Sequence, residues 1–212
     1  MPPFERMSDE RTMKMRSIRN DFSSRKDEYD LEIARSVPHY RRMLESAIDS
    51  LPFESDDLHI IDLGTGTGAL AELVLQRYPG CHLTCVDMTS DMLDKARQRL
   101  DPASDVQFVL KDFYELELPG NTDAVVSSLA LHHLITDDDK RRFNTRVFEC
   151  LRPGGVFVNA DAVLGSDECL EQLYKHKWKE FMRQTMSETD VQTIMDRHRR
   201  EGLRVGFVPT MG

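Results

Sequence analysis

The sequence predicts an α/β fold in which helices cover both faces of a mainly parallel β-sheet. Three observations predict it: short apolar runs alternate with amphipathic stretches over residues 58–161, a glycine-rich turn follows the first run, and helical patterns flank this region. Buried parallel strands are continuously apolar and are joined by crossover helices, which is this pattern. The chain has 212 residues, 40% of them hydrophobic, which is enough for one sizeable core.

The helical patterns divide the chain into three parts. Between residues 27 and 51, apolar side chains recur at the spacing of one helical face, interrupted once by Pro38. The polar, Met-rich segment up to Phe22 predicts a loosely held helical arm. We therefore expect a helical arm and lid over 1–51, a ligand-binding sheet domain over 52–165, and a helical extension with an atypical tail over 166–212.

Five apolar runs predict the strands. They are LHIIDL, LTCVD, VQFVL, TDAVVSS and GVFVNAD, in chain order. Helices are predicted over residues 69–78, 90–100 and 137–151, and a long charged helix is predicted over 166–200. Strands separated by helices indicate a parallel sheet, because a parallel pair needs a crossover connection.

Composition and charge narrow the class of function. The chain has 28 basic and 37 acidic residues, a net charge of −9, and the scattered basic residues favour neither a nucleic acid nor a membrane partner. No apolar run reaches about 18 residues, and the start lacks the apolar stretch of a secretory signal, which favours a cytoplasmic protein. Cys81, Cys85, Cys150 and Cys169 contain no CxxC pair, which predicts reduced, structural cysteines.

A glycine-rich segment, GTGTG at residues 64–68, follows the first predicted strand. Glycine allows a positive φ and lets a ligand approach the backbone closely. The helix that opens at Ala69 offers free N–H groups to a phosphate or a carboxylate. Gly64-x-Gly66-x-x-Ala69 also satisfies the dinucleotide fingerprint, so the loop alone leaves the cofactor open.

Acidic residues end the next two predicted strands. Asp87 lies 19 residues after Gly68, where a carboxylate accepts both ribose hydroxyls of an adenine nucleoside. NAD and S-adenosylmethionine share this requirement. At the end of the third strand, Asp112 can accept from the adenine amine while Phe113 packs near the base. This third element favours S-adenosylmethionine.

Taken in order, the segments resemble the motifs of the S-adenosylmethionine-dependent methyltransferases, which have a Rossmann-like, doubly wound sheet. They are IIDLGTGTG, CVDMTSDML, VLKDF, DAVVSSLALHHL and LRPGG. The resemblance implies S-adenosylmethionine as cofactor, S-adenosylhomocysteine as product and a small-molecule acceptor. Such enzymes normally end in antiparallel strands, but only LRVGFVPTMG remains here, so we expect those strands to be missing or atypical.

The resemblance assigns five residues to the first part of the cofactor site. It places Gly64, Thr65 and Gly66 along the methionine end of the cofactor. It places Asp87 on the ribose and Met88 against the adenine.

Three further cofactor residues follow from the same resemblance. It places Asp112 and Phe113 at the adenine edge and Ser128, at the end of the fourth strand, near the sulfonium. Asp62 is expected to cap or brace the glycine loop, and Thr67 to satisfy backbone groups. The sequence identifies no general base.

Two polar clusters are not expected to bind a metal. His132 and His133 are adjacent, and neighbouring residues of a helix point about 100° apart, so we interpret them as structural or cleft-wall histidines. The acidic triplet 137–139 precedes a predicted helix, where helix capping explains it better than Mg²⁺ binding.

Two narrower resemblances concern single segments. RSVPHY at 35–40 resembles the RSVPxY stretch of carboxy-S-adenosylmethionine synthases, whose tyrosine contacts the cofactor, and this nominates Tyr40. The chain departs from that family at two places. That family has an asparagine where this chain has Ser128, and an arginine where this chain has Ile194-Met195. Residues 200–212 resemble the N-terminal stretch of pantothenate synthetases but carry no downstream catalytic motif, so we assign no second activity.

The leading hypothesis is a methyltransferase acting on a small molecule. The alternatives are an enzyme like the carboxy-S-adenosylmethionine synthases, an NAD-dependent oxidoreductase and a non-catalytic cofactor-binding module. An oxidoreductase would need a catalytic Tyr/Lys, Ser or His constellation beyond the first half of the sheet, and the spacing there shows none. Whether the protein forms a homodimer through its helical arms is left open by the sequence.

Overall fold

A computed structural model describes residues 3–25, 28–55 and 57–201 of the chain. Five parallel strands form one sheet in the order β3-β2-β1-β4-β5. Their bounds are β1 His59–Leu63, β2 His82–Asp87, β3 Val106–Leu110, β4 Thr122–Ser128 and β5 Leu151–Ala160. The winding reverses between β1 and β4, and open α/β sheets bind ligands outside the carboxyl ends of the strands at such a point. The predicted sheet is confirmed.

Eight helices of the described chain surround or flank the sheet. The helices that follow strands within the sheet region are α4 Ala69–Arg77, α5 Ser90–Arg99 and α6 Asp137–Cys150. Before the sheet come α1 Pro3–Arg25, α2 Tyr29–Ser36 and α3 Tyr40–Asp49, and after it α7 Glu168–Met182 and α8 Glu188–Glu201. The helices predicted after the first, second and fourth strands are thus present to within a residue.

Two predicted long helices are in fact pairs of helices. The pattern at 27–51 is broken between α2 and α3, where Pro38 cannot donate a backbone hydrogen bond and His39 has a φ of 54°. The pattern at 166–200 is broken between α7 and α8, and the turn lets both helices bury one apolar cluster containing Met182, Val191 and Ile194. Amphipathic spacing shows which face of a helix is apolar but not where the chain reverses. The apolar faces of α7 and α8 meet in one cluster, so the spacing continues through the turn.

The core lies on the two faces of the sheet. Side chains alternate along a strand, so Ile60 belongs to the cluster that α3 and α4 cover, whereas Ile61 belongs to the cluster that α6 covers. Cys81 and Cys85 are buried in the first cluster and Cys150 in the second, all as free thiols. The predicted structural role agrees with this packing for these three, whereas Cys169 is an exposed free thiol.

The sheet ends at β5 within the described ranges, which contain no later strand. The sequence LRVGFVPTMG lies outside the described residues. In place of further strands, the helices α7 and α8 follow β5, and α7 packs against α2. No helix in the described part of the chain is long and apolar enough to cross a membrane.

Candidate active site

The glycine loop between β1 and α4 has a backbone that other residues would not adopt easily. Gly64, Gly66 and Gly68 have φ values of 72°, 55° and 86°, in the left-handed region. A Cβ atom at Gly64 would lie 2.2 Å from the Cβ of Ala130. The amides of Gly64 and Thr65 both donate to the Val86 carbonyl, at 2.8 and 2.9 Å. The end of β2 therefore holds the loop in place.

The carboxylate of Asp87 links the end of β2 to this loop. Its Oδ2 accepts from the amide of Gly66 at 2.9 Å, and its Oδ1 accepts from the amide of Thr89 at 2.8 Å and from the Thr89 hydroxyl. Burial raises the pKa of Asp87 above its usual value, although these hydrogen bonds oppose the shift. Asp87 is thus a fixed acceptor at the sheet edge.

Asp62, behind the glycine loop, is a buried acid without a hydrogen bond to its carboxylate in the described chain. It is 0% exposed, and both of its side-chain oxygens lack a partner. Burial raises the pKa of Asp62 to about 7, and the charge of Asp87 adds to the shift. Asp62 braces the loop, as expected, through its backbone carbonyl, which accepts from the Thr65 hydroxyl at 3.0 Å. An unpaired buried carboxylate is costly and fits a cationic ligand nearby.

A cavity of about 50 Å³ lies on the glycine loop at the carboxyl ends of the strands. Seven of the nine residues predicted to bind the cofactor line it: Gly64, Gly66, Asp87, Met88, Asp112, Phe113 and Ser128. One oxygen of Asp112 accepts from the amides of Tyr114 and Glu115, at 2.9 and 3.0 Å. The predicted residues are therefore brought to one place.

The other two predicted residues lie outside the lining of this cavity. The hydroxyl of Thr65 is turned toward the backbone of Asp62. Tyr40 begins α3 and packs against the core cluster under α3 and α4. Burial, with the nearby charge of Asp30, raises the pKa of Tyr40 to about 12. A cofactor contact for either residue stays a prediction.

Helix α1 fills much of the space over the glycine loop. Met15, Phe22 and Tyr29 line the cavity together with Gly64. The ring of Phe22 lies edge-on to the rings of Tyr29 and His133, with centroids 5.9 and 5.4 Å apart. Met15 is only 7% exposed, which differs from the expected loosely held arm. Nucleotide-sized ligands need cavities of several hundred Å³, so Met15 and Phe22 must move to admit one.

A polar cluster ties α2 to the glycine loop. The Thr67 hydroxyl donates to Asp30 Oδ1 at 2.6 Å and accepts from Arg99 Nη1 at 3.0 Å. Arg99 also donates to the Thr67 carbonyl at 3.0 Å and forms an ion pair with Asp30. The Thr67 hydroxyl thus bonds to a helix brought from elsewhere in the chain, which corrects the expectation that it satisfies backbone groups.

A second cavity, of about 600 Å³, adjoins the first. The two share Phe22, Tyr29, Leu129 and His133 in their walls. The second cavity lies between α2, the residues after β4 and β5, and the α7–α8 pair. Aromatic side chains of α7 form much of this last wall: Tyr174, Trp178 and Phe181.

Charged side chains in the wall of the second cavity are paired. Arg197 of α8 forms an ion pair with Glu32 of α2. Lys175 Nζ lies 3.0 Å from Glu171 Oε1. The Trp178 indole donates to the Ser36 carbonyl, which joins α7 to α2. Burial lowers the pKa of His198, so this histidine favours its neutral form.

Both histidines after β4 are cavity-wall residues, as one of the sequence interpretations predicted. His133 lines both cavities and His132 the larger one, and their ring centroids lie 4.2 Å apart. The capping interpretation of the acidic triplet is confirmed, because Asp139 and Thr136 form a reciprocal capping box at the start of α6.

Comparison with known proteins identifies the sheet region. Residues 60–155 match the profile of a family described as "Methyltransferase domain". The chain superposes on a DhpI complex with SAM and HEP with a TM-score of 0.59 and 26% identity, over 76% of this chain and 71% of that one. Residues 60–155 are a methyltransferase domain of the S-adenosylmethionine-dependent superfamily.

Two curated relatives are also similar to this chain. A malonyl-[acyl-carrier protein] O-methyltransferase of Acetivibrio thermocellus is 36% identical over 89 residues, which cover 42% of this chain and 31% of that protein. A carboxy-S-adenosyl-L-methionine synthase of Aeromonas salmonicida is 30% identical over 149 residues, covering 66% and 59%. The chain thus spans less than two thirds of the length of either relative.

Sequence reasoning missed several residues around the methyltransferase domain. Met15 and Phe22 of α1, and Asp30 of α2, lie outside the motif region, and their contacts are long-range. The pairing of His132 with Asp161 was also missed. One signal was available for it, since Asp161 follows the fifth predicted strand and His132 follows the fourth.

Proposed function

We propose that this chain transfers a methyl group from S-adenosylmethionine to a small-molecule acceptor, with S-adenosylhomocysteine as product. The observation that carries the proposal is the pair of adjoining cavities. One lies on the glycine loop, and the other, of about 600 Å³, opens beside it. A group-transfer enzyme needs this arrangement, because the donor and the acceptor must meet at the boundary.

The acids of the first cavity fit a cofactor that carries a sulfonium and an ammonium cation. When bound, S-adenosylmethionine supplies an electrophilic methyl group on its sulfonium. Asp87 presents its remaining lone pairs to the ribose hydroxyls, and Asp112 presents the oxygen that does not accept from Tyr114 and Glu115 to the adenine amine. Asp62 lies behind the loop, and a cation at the methionine end would favour its charged form.

The acceptor cavity supports catalysis by position. Methyl transfer requires the attacking atom in line with the methyl group at about 3 to 3.5 Å, and much of the rate acceleration comes from holding it there. The aromatic wall of α7 and the ion pair between α2 and α8 border this space. An acceptor seated there would displace water that could compete with it.

Calorimetric titration with S-adenosylhomocysteine, S-adenosylmethionine and NAD tests the proposal. We expect both sulfur-containing ligands to bind with micromolar affinity and to raise the melting temperature, because a ligand that binds only the folded state stabilises it. Tighter binding of NAD than of either ligand would contradict the proposal. Turnover on a panel of hydroxyl, amine, thiol and carboxylate acceptors separates an enzyme from a non-catalytic binding module.

A second candidate is an enzyme like the carboxy-S-adenosylmethionine synthases. Several relatives of this chain carry that name. Arg197 favours it, because this guanidinium lines the acceptor cavity, one helical turn after Ile194. Arg197 is paired with Glu32, however, so an extra carboxylate would have to displace that acid. The carboxylated cofactor binding more tightly than S-adenosylmethionine would support this candidate, and weaker binding would argue against it.

A further inference from the structure

We propose that the methyl acceptor is an amphiphilic small molecule with a linear apolar chain, and that this chain leaves the larger cavity over an apolar rim formed by Val163, Leu164 and Tyr174. The proposal rests on the proposed methyltransferase function and adds to it the class of the acceptor. It is carried by the position of these apolar side chains, which are exposed at the mouth of a cavity instead of packed in the core.

The rim is made by the loop after β5 and by the first half of α7. Val163 is 69% exposed and Tyr174 is 48% exposed, and both line the larger cavity. Leu164, the neighbour of Val163 in the chain, is also exposed. Several exposed apolar side chains in one place are uncommon on protein surfaces and mark sites where a ligand or partner binds.

Two contacts hold the loop against α7. The Gly165 amide donates to Glu171 Oε2 at 2.9 Å. A Cβ atom at Gly165 would lie 2.4 Å from the backbone nitrogen of Glu171, so the loop backbone packs directly on the helix. Tyr174 follows Glu171 by three positions and therefore lies on the same side of α7. The apolar side chains of the loop and of the helix are thus neighbours.

The apolar surface continues from the rim into the cavity along α7. Tyr174, Trp178 and Phe181 recur at the spacing of one helical face, and all three line the cavity. Tyr174 is exposed, whereas Trp178 and Phe181 are half-buried, so this wall passes from the surface inward. From Tyr174 to Phe181 the helix rises by about 10 Å, which is longer than one aromatic ring. A linear chain covers such a wall along its length.

The rim is within reach of the boundary between the two cavities. Leu129 lines both cavities, and its amide donates to the Ala160 carbonyl at 3.0 Å. Val163 follows Ala160 by three positions, so their Cα atoms are at most about 11 Å apart. A chain that begins at an acceptor atom beside Leu129 therefore reaches the surface at Val163 after a moderate length.

The lysines at the mouth are already paired within α7. Lys175 Nζ lies 3.0 Å from Glu171 Oε1, and Lys177 Nζ lies 2.8 Å from Glu180 Oε2. A neutral chain can pass these pairs without leaving a charge unpaired. The charges of the rim are thus compatible with an uncharged chain.

Binding of straight-chain alcohols from 1-butanol to 1-decanol tests the chain site. Trp178 is the single tryptophan and lines the cavity, so its emission reports occupancy. We expect the Kd to fall about 3- to 4-fold for each added methylene group, because each one buries apolar surface. Equal affinity for 1-butanol and 1-decanol would overturn the proposal.

The double variant Val163→Ser/Leu164→Ser removes apolar surface from the rim and leaves the wall of α7 unchanged. It should bind 1-decanol about 5-fold more weakly or worse, and 1-butanol like the wild type. The compact ten-carbon alcohol 1-adamantanol should also bind like the wild type, since it does not reach the rim. Tyr174→Ser, on the other side of the rim, should show the same pattern and serves as the second variant.

The matched control is Phe148→Ser. Phe148 is 78% exposed on α6 and is outside the lining of the larger cavity, so this variant should bind all three alcohols like the wild type. An equal loss of 1-decanol affinity in Phe148→Ser would show that the alcohols bind exposed apolar surface in general. Equal weakening of 1-decanol and 1-adamantanol in both rim variants would show that the rim shapes the cavity and does not guide a chain. Either outcome would overturn the proposal.

Titration with S-adenosylhomocysteine separates this proposal from the proposed function. The cofactor product should bind at the first cavity, whose lining contains neither Val163 nor Tyr174. If no form binds it, the proposed function fails, while the alcohol series in the cofactor-free protein still tests the chain site. A wild type that binds S-adenosylhomocysteine but shows no dependence on chain length would overturn only the assignment of the acceptor class.

Discussion

Three aspartates at or near the carboxyl ends of the strands differ in how the protein holds them. Both oxygens of Asp87 accept hydrogen bonds from the protein, one oxygen of Asp112 does, and the described chain gives the carboxylate of Asp62 none. A side chain that is already held loses little entropy on binding a ligand, whereas an unpartnered buried charge gains most from a cation. The three should therefore respond differently to mutation.

Asp87→Ala should weaken S-adenosylhomocysteine binding by about 2 to 4 kcal/mol, because the ribose loses a charged acceptor and the Gly66 amide loses its partner. Asp112→Ala should cost less, since a single contact to the adenine amine is lost. Isothermal titration calorimetry measures both. The control is Asp94→Ala, which removes an exposed ion pair with Arg97 on α5. Wild-type affinity in Asp87→Ala would show that the assignment at β2 is wrong.

Asp62→Asn should change how stability depends on pH. The pKa of Asp62 is raised from 3.8 to about 7 in the folded protein, so the folded state binds this proton more tightly than the unfolded state. The contribution of Asp62 to the free energy of unfolding is greatest below about pH 4. It falls as the pH rises toward 7 and is constant above that. In the cofactor-free protein at pH 8, the variant should be more stable by up to about 4 kcal/mol.

Urea unfolding of wild type and Asp62→Asn at pH 5 and pH 8 measures this difference. The same variant should bind S-adenosylhomocysteine more weakly, because the negative charge behind the loop is gone. If the free energy of unfolding changes by the same amount between pH 5 and pH 8 in both proteins, Asp62 is not the group that titrates.

Among the elements, α2 contacts both the glycine loop and the α7–α8 pair. The Asp30–Thr67–Arg99 cluster fixes one side of it to the glycine loop, and Glu32 and Ser36 fix another side to α8 and α7. Tyr29 of the same helix lines both cavities. We propose that α1 and α2 act as a lid, because a ligand on the glycine loop has to displace side chains of α1.

Asp30→Ala should loosen α2 from the loop. The Asp30 side chain is 48% exposed, so the loss of its ion pair and hydrogen bond should weaken S-adenosylhomocysteine binding by only about 1 kcal/mol. Hydrogen exchange should become faster over residues 29–36. Glu45→Ala, which removes an exposed pair with Arg41 on α3, is the matched control. Unchanged exchange over 29–36 in Asp30→Ala would show that other contacts hold α2.

For the whole molecule, the sheet edge and the two flanking helical segments together form the two adjoining cavities of the candidate active site. The strands and the turns that follow them supply the acids, α1 and α2 line the first cavity, and α7 with α8 forms one wall of the second. The segments that precede and follow the sheet meet at the ion pair between Glu32 and Arg197. Contacts across this distance in sequence determine the shape of the second cavity.

Arg197→Ala should open the second cavity and leave the first intact. The Arg197 side chain is 17% exposed and Arg199, on the same helix, is 75% exposed, so Arg199→Ala is the matched control. Trp178 is the single tryptophan, and its fluorescence should shift to longer wavelength in Arg197→Ala as water enters. S-adenosylhomocysteine affinity should stay near that of the wild type. A large loss of that affinity, with unshifted fluorescence, would contradict the separation of the two cavities.

The sequence by itself determined the sheet, the loop and the position of the acids at the strand ends. Apolar runs and helical periodicity are local properties, and parallel strands put every strand end at one edge, so Gly64, Asp87 and Asp112 could be placed together. The same local reasoning did not place a helix boundary at Pro38 and His39, because apolar residues recur at helical spacing on both sides of Pro38.

Only the tertiary structure decided what covers this edge and what lines the second cavity. Met15 reaches the glycine loop, Thr67 bonds to Asp30, and His132 pairs with Asp161, all across segments far apart in the chain. Such contacts depend on how separately formed elements pack and on the register of β4 with β5. Periodicity predicts neither the packing nor the register, because it shows which face of an element is buried and not which neighbour buries it.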